Sequence, residues 1–279
     1  MKQLYDDTSF ICSKIVTNKY STSFSLAVKM LSPKIREGIY SIYAFVRFAD
    51  EIVDSFNGYD KNKLINQFEA DYYAALEAGI SLNPILNSFQ HTVKKYSITD
   101  DLVQAFLTSM KLDLNKTEYE TKTEYNNYIY GSADVVGLMC LKVFVYGDDK
   151  EYESLKSYAM RLGSAFQKVN FLRDLKDDYE ILNRSYFPGV NFESLNFEAK
   201  QSIINEIEED FTEAYKGIKL LPLESKFGVY TAFIYYKRLL SKLNSTPSEK
   251  IFTTRIRVSN PMKLSLLARS FIVFKLNLL

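Results

Sequence analysis

Residues 39–54, "IYSIYAFVRFADEIVD", decide the fold. From Ile39 to Phe48 only Tyr40, Ser41, Tyr43 and Arg47 carry a polar atom. A helix that is apolar nearly all round is normally a core helix. This one ends in Asp50 and Asp54, four residues apart and so on one helical face, with Arg47 one turn earlier. A carboxylate withdrawn from water is costly unless it is ion-paired or bound to a cation. The ordinary alternative is a solvated acidic stripe, and the apolar run before the pair argues against it.

Outward from this stretch, the chain reads as helix after helix. Ser32-Pro33 supplies a cap and a proline at the first helical position, and "SFNGYD" (55–60) breaks the helix. Apolar periodicity predicts further helices over 61–78, 83–96, from "SITDD" (97–101) toward 114, over 118–145, 151–179, 198–220 and 225–243, and from 261 to the end. "NRSYFPGVNF" (183–192) reads as a loop. The 10 glycines and 6 prolines fall mostly between periodic segments, and no run alternates as a strand would. The expectation is one all-α domain, residues 1–279.

Composition removes several function classes. Lys+Arg is 35 and Asp+Glu is 34, without the basic surplus of a nucleic-acid-binding protein. The two cysteines, Cys12 and Cys140, form neither a disulfide framework nor a metal spacing, which points to a reducing compartment. A single histidine, His91, excludes His-rich zinc sites and the paired Glu-x-x-His ligands of di-iron bundles. "MKQLYDDTSF" holds no apolar signal core, and the run 39–46 is far shorter than the ~20 residues that cross a bilayer. A cytoplasmic location is expected.

A second acidic stretch repeats the first. In "QKVNFLRDLKDD" (167–178), Gln167, Asn170, Asp174 and Asp178 follow one helical face with Arg173 beside it, while Asp177 lies a step off that face. The same segment is apolar at Phe166, Val169, Phe171, Leu172 and Leu175. If the two helices face each other, four carboxylates and an amide meet across a cleft. Oxygen ligands without His or Cys select a hard cation such as Mg²⁺, which readily shares its coordination sphere with phosphate oxygens. A metal-bridged diphosphate is the natural ligand of such a cleft.

At this point the chain resembles the squalene/phytoene synthase family, the head-to-head prenyl-diphosphate synthases, over residues 20–257. "YSTSFSLA" (20–27) resembles the family's serine-rich segment, and "YAFVRFADEIVD" (43–54) its first aspartate motif. "YIYGSADVVGLM" (128–139) resembles its tyrosine-glycine helix, "QKVNFLRDLKDDYE" (167–180) its second aspartate motif, and "NRSYFPG" (183–189) the loop after it. One departure stands in the glycine helix. Many relatives read alanine-glycine-threonine-valine where this chain has Ala133-Asp134-Val135-Val136, so Asp134 either alters the pocket or lies outside it. All four motif aspartates are present, whereas non-enzymatic relatives that act as assembly factors tend to lose them.

The resemblance implies a helical bundle of the isoprenoid synthase type with a central cavity. It implies a transferase that joins two allylic prenyl diphosphates through their first carbons, by way of a cyclopropyl diphosphate. The expected product is phytoene, from two geranylgeranyl diphosphates, with no NADPH required. Squalene or dehydrosqualene synthesis from farnesyl diphosphate is the alternative, and a non-catalytic assembly factor is an alternative of another class. A terpene cyclase would carry Ser or Thr among the ligands of its second motif, which this chain lacks. Asp50, Asp54, Asp174, Asp178 and Asn170 would hold Mg²⁺, or Mn²⁺ in its place, with the four aspartates and Tyr128 as the catalytic set. Ser21, Ser23, Arg47, Gln167, Asn170, Arg173, Tyr235 and Arg257 would bind the substrate.

Tyr40, Tyr43, Tyr128, Tyr235, Phe24 and Phe166 are the aromatic candidates for a dry wall beside a cation, with plain core packing as the other reading of each. Gly131, Ser132, Ala133 and Gly137 read either as room for a polyprenyl tail or as close helix approach. "PMKLSLLARSFIVFKLNLL" (261–279), with Lys263, Arg269 and Lys275, reads either as a helix packed on the body or as a peripheral contact with the inner membrane surface.

Overall fold

Side-chain caps or a proline in the first turn mark many of the helix starts. In the computed structural model, which describes residues 1–190 and 195–277, α1 (Lys2–Tyr20) gives way at Ser21 to α2 (Thr22–Lys29). Ser21 is extended, and its hydroxyl accepts from the Phe24 N–H as the cap of α2. Pro33 opens α3 (Pro33–Asp54), as its sequence predicts. Then come α4 (Lys61–Ala78), α5 (Pro84–Lys95) and α6 (Asp100–Leu112), with Asp60 and Asn83 capping the first two. Thr121 and Glu124 form a capping box for α7 (Lys122–Ile129). A π-helical turn (Tyr130–Asp134) joins α7 to α8 (Val135–Phe144).

The longest helix, α9 (Asp149–Glu180), has 32 residues. It is followed by α10 (Phe197–Leu220), α11 (Leu223–Ser245), the single turn α12 (Ser248–Ile251) and α13 (Asn260–Lys275). Among the described residues there is no strand, only an isolated parallel bridge between Glu118 and Ser185. The all-α expectation holds.

The bundle is built around α9, which packs against α8, α10, α11 and the π turn. Helix α3 lies against α1, α5 and α8, and α2 against α11. The buried apolar cluster extends from Val28 to Val258. Stacked rings of Phe45 and Phe89, with centroids 3.9 Å apart, lock α3 to α5.

The sequence reading placed no helix before Pro33, where the structure has both α1 and α2. Helix α1 was not anticipated, because its buried face is Ser9, Ser13 and Thr17 rather than an apolar stripe. Each hydroxyl bonds within the protein; Ser13 and Ser88, for example, meet at 2.7 Å. The helix expected over 118–145 is divided by the π turn. The loop expected over 183–192 is present as far as Val190, and its last residues, Asn191 and Phe192, lie outside those described, as do Leu278 and Leu279, the last residues of the stretch expected to be helical from 261. No helix among the described residues is long and apolar enough to cross a membrane.

Candidate active site

Helices α2, α3, α8, α9, α10 and α11 enclose a cavity of about 1120 Å³. All the side chains singled out from the sequence as catalytic, metal-holding or substrate-binding line it: Asp50, Asp54 and Arg47 from α3, Gln167, Asn170, Arg173, Asp174 and Asp178 from α9, Ser21 and Ser23 near the α2 start, Tyr128, Tyr235 and Arg257. The two aspartate pairs therefore share one cavity. Asp50 and Asp54 occupy the last turn of α3, and Asp174 and Asp178 the last two turns of α9, so both helices bring their acids to the same end of the bundle.

The loop after α9 ties that end together. Arg184, buried in this loop, donates from Nη1 to Asp54 Oδ1 at 2.8 Å and from Nη2 to the Asp113 carbonyl at 2.9 Å. Its backbone N–H donates to the Asp178 carbonyl at 2.8 Å. Asp174 pairs with Arg173 and accepts from Arg255 Nε at 2.8 Å. Arg47 pairs with Glu51, lies 3.9 Å from Asp50 and sits over the Tyr20 ring.

The acids crowd one another. Burial, and then the charge of Asp54, raises the Asp50 carboxyl to about 7. Burial, and then the charge of Asp174, raises Asp178 to about 8, with Asp54 across the cleft adding to it. Carboxylates that raise one another in this way form a place where a cation is favoured. The donors are all oxygen, which suits Mg²⁺. Among the described residues no three acidic side chains converge as a metal cage. Any cation held here would take its protein oxygens from one pair of acids and the rest of its coordination sphere from elsewhere.

Away from the acids the cavity turns apolar. Along α9 its wall runs from Gln167 back through Phe166, Leu162, Ala159 and Tyr158 to Leu155. Phe24 stacks on Tyr43 at 4.8 Å and Phe166 on Tyr236 at 4.0 Å, and all four rings line the cavity. Tyr236 donates to Asn170 Oδ1 at 3.2 Å, and Gln167 reaches Ser132 Oγ at 3.5 Å. Tyr40 is buried in the core and does not line the cavity.

A model of the family described as squalene/phytoene synthase matches residues 17–261. The chain belongs to the squalene/phytoene synthase family. Phytoene synthase 1 of Solanum lycopersicum is 26% identical over 95% of the chain, which spans 66% of that relative's length. A crystal structure of a dehydrosqualene synthase in complex with ligand superposes with a TM-score of 0.84 at 22% identity, covering 98% of both chains. A squalene synthase from Alicyclobacillus acidocaldarius gives a TM-score of 0.76 at 20% identity, over 87% of this chain and 95% of that one.

Within this family member, the cavity residues that escaped the sequence reading include Asp113, Arg184, Tyr186, Tyr236 and Arg255. Burial raises Asp113 to about 7, against the opposing pull of Arg184 and of the Tyr128 hydroxyl, which donates to Asp113 Oδ2 at 2.9 Å. Tyr186 stacks on Phe171 at 3.9 Å and on Tyr128 at 5.3 Å. Arg184 and Tyr186 sit in the quoted "NRSYFPG" motif, so their signal was in hand; Asp113 and Arg255 had none.

Asp134 is buried outside the cavity lining, where it accepts from Ser164 at 2.7 Å. Gly131 and Gly137 are close-approach positions. A Cβ on the first would lie 1.9 Å from Ser109 Oγ, and on the second 3.0 Å from the Ala159 carbonyl. Lys263, at the start of α13, turns toward the cavity and donates to Thr22 Oγ1 at 3.1 Å.

Proposed function

We propose that this chain is a Mg²⁺-dependent head-to-head prenyltransferase that condenses two geranylgeranyl diphosphates to phytoene. The supporting observation is the shared cavity: two aspartate pairs at its polar end, and an apolar tunnel running away from them. Fold likeness to enzymes that use farnesyl diphosphate does not separate the two substrates, so product analysis makes that choice.

The residues divide the work by position. Asp50 and Asp54 on one wall, and Asp174, Asp178 and Asn170 on the other, would hold the divalent cations, Mg²⁺ or Mn²⁺. When bound, these ions neutralise the departing diphosphate. Arg47 and Arg173 flank the acids and bind diphosphate oxygens by charge-assisted hydrogen bonds, with Ser21, Ser23 and Gln167 as neutral partners. Arg257 adds a cation from the C-terminal side. In a substrate complex Arg255, paired with Asp174, exchanges its carboxylate for phosphate oxygens.

Ionisation of one substrate releases its diphosphate and leaves an allylic cation; the double bond of the second attacks that cation, and loss of a proton closes the ring of the cyclopropyl diphosphate. Beside it, the rings of Phe24, Tyr43, Phe166 and Tyr235 exclude water and present π faces, each worth roughly 0.5–2 kcal/mol toward a desolvated cation. A second ionisation and rearrangement then end in proton loss, which needs no reductant. Tyr128, hydrogen-bonded to the buried Asp113, stands at the polar wall, positioned to hold a proton near the departing diphosphate. The exposed Leu264 and Ile272 of α13 offer a peripheral contact with lipid, from which such substrates come.

Incubation with geranylgeranyl diphosphate and Mg²⁺, followed by lipid extraction and mass analysis, is expected to yield phytoene. Farnesyl diphosphate, with and without NADPH, tests the squalene and dehydrosqualene alternatives. Asp50→Asn and Asp174→Asn are each expected to lower turnover at least 1000-fold, on the order of the largest electrostatic effects of single groups, with the helical circular-dichroism spectrum unchanged. Full activity in both variants would reject the assigned roles. Wild-type protein that releases no diphosphate from either substrate would favour an assembly factor.

A further inference from the structure

The depth of the apolar arm can be read from α9, the helix that lends the cavity the most lining residues. On α9 the apolar lining begins beyond Gln167 and stops at Leu155. At 1.5 Å per residue those 12 positions give an arm roughly 18 Å deep. At about 1.3 Å of advance per carbon–carbon bond, an extended farnesyl chain spans roughly 14 Å and a geranylgeranyl chain roughly 19 Å. The arm thus matches the longer chain and leaves an unfilled end beneath the shorter one.

Helices α9 and α10 meet at the far end of this arm, which Leu141 and Phe144 of α8 also line. Helix α10 packs along α9, with Gly217 so close to Tyr158 that an added Cβ would lie 2.3 Å from the Tyr158 Cβ. Because α10 ends where α9 begins, one turn beyond that contact brings Leu221 and Leu155 to the same level. Both are buried and both line the cavity. Along α9, and along α10 with the Leu221 that caps it, no lining residue lies farther from the aspartates than these two.

We propose that Leu155 and Leu221 are the chain-length stop of the tunnel, the pair that sets a twenty-carbon limit on the prenyl tail. This rests on the prenyl diphosphate reading given above. Selection arises because the terminal isoprene unit leaves water only where the arm reaches far enough to cover it. A bulkier side chain at the stop removes that space, and a smaller one extends it.

The test is direct binding of non-ionisable thiodiphosphate analogues of farnesyl, geranylgeranyl and twenty-five-carbon geranylfarnesyl chains, by calorimetry in Mg²⁺. Wild-type protein is expected to bind the geranylgeranyl analogue at least tenfold more tightly than either other. Leu155→Phe and Leu221→Phe are expected to weaken geranylgeranyl binding about tenfold while leaving farnesyl binding within threefold. The double variant Leu155→Ala/Leu221→Ala is expected to gain about tenfold for the twenty-five-carbon analogue, and it decides alone if the phenylalanine variants do not fold. If every analogue binds and the variants keep the wild-type order, the stop lies elsewhere and only this inference fails. If folded wild-type protein binds none of them, the prenyl diphosphate reading fails and takes this inference with it.

Discussion

Arg184 joins the end of α3 to the segment after α6. It bonds Asp54 and the Asp113 carbonyl through two nitrogens of one rigid fork, and burial leaves no water to replace it. Its own ionisation is held well above the ordinary arginine range by the Asp113 and Asp54 charges, against the cost of burial. Arg184→Ala would leave the Asp54 and Asp113 carboxyls without their cation. Because Asp54 is partly exposed, the expected loss is about 3 kcal/mol, at the low end for a broken buried pair. Urea unfolding measures it; a loss under 1 kcal/mol would mean that the loop relaxes and rescues both acids. Arg184→Lys keeps the charge but not the fork, and is expected to recover less than half of the loss.

The same residues show what a sequence can reveal about a site. Asp50, Asp54, Asp174 and Asp178 stand out because a period of four on an otherwise apolar helix demands an explanation. Asp113 does not stand out in "KLDLN", where a lone acid follows a helix and its partners come from Tyr128 and from a distant loop. Arg255 and Arg257 lie in a non-helical segment after α12, where no helical period ranks one above the other. Coordinates give the Asp174 pairing to Arg255, while both arginines line the cavity.

At the scale of elements, the decisive irregularity is the π turn between α7 and α8. A π turn adds a residue to the helical repeat and shifts the register of the helix after it. Here it lets Tyr128 face the acids while Ser132, Ala133 and Val136 continue the cavity wall. Gly131 permits the turn to press against α6, where a methyl group would collide with the Ser109 hydroxyl and come within 2.9 Å of the Ala105 carbonyl. Gly131→Ala is therefore expected to destabilise the fold by about 1–3 kcal/mol, as overpacking does. Adding Ser109→Gly should restore part of the loss, because the hydroxyl is removed but the Ala105 carbonyl stays. Additive losses in that double variant, measured by thermal unfolding, would place the strain elsewhere.

Glycines in "YIYGSADVVGLM" advertised a departure from regular helix, but not its kind, since a kink and a close approach leave the same small residues. Helix α1 was hidden for a different reason: hydroxyls at a spacing of four can be buried when each finds an acceptor, and apolar periodicity does not register them.

For the whole molecule, the buried charge beneath the π turn sets how stability responds to pH. Asp210, almost fully buried, accepts from Lys168 at 2.7 Å and from Arg161 at 2.8 Å, and Lys168 also reaches Glu206. Asp134 lies beside this group and accepts from Ser164, and burial, offset in part by that bond and by Lys168, raises its carboxyl from 3.8 to about 7. A raised carboxyl keeps its proton in the folded protein at pH values where the unfolded chain has lost it. Between about pH 4 and pH 7 the native state then binds more protons, and stability falls as pH rises. Below that window both states are protonated, and above it both are ionised, so the effect levels off at each side.

Asp134→Asn keeps the acceptor for Ser164 and removes the titration. It is expected to flatten the slope of unfolding free energy against pH by up to about 1.4 kcal/mol per pH unit, the limit for one proton. The variant should gain most over wild type near pH 7 and least near pH 4. Because the apolar cluster runs from Val28 to Val258, we read the chain as one folding unit, for which urea curves at each pH should show a single transition. Parallel pH profiles for the two proteins would show that Asp134 is ionised in the folded state, its charge held by Lys168 and Arg161 rather than suppressed by burial.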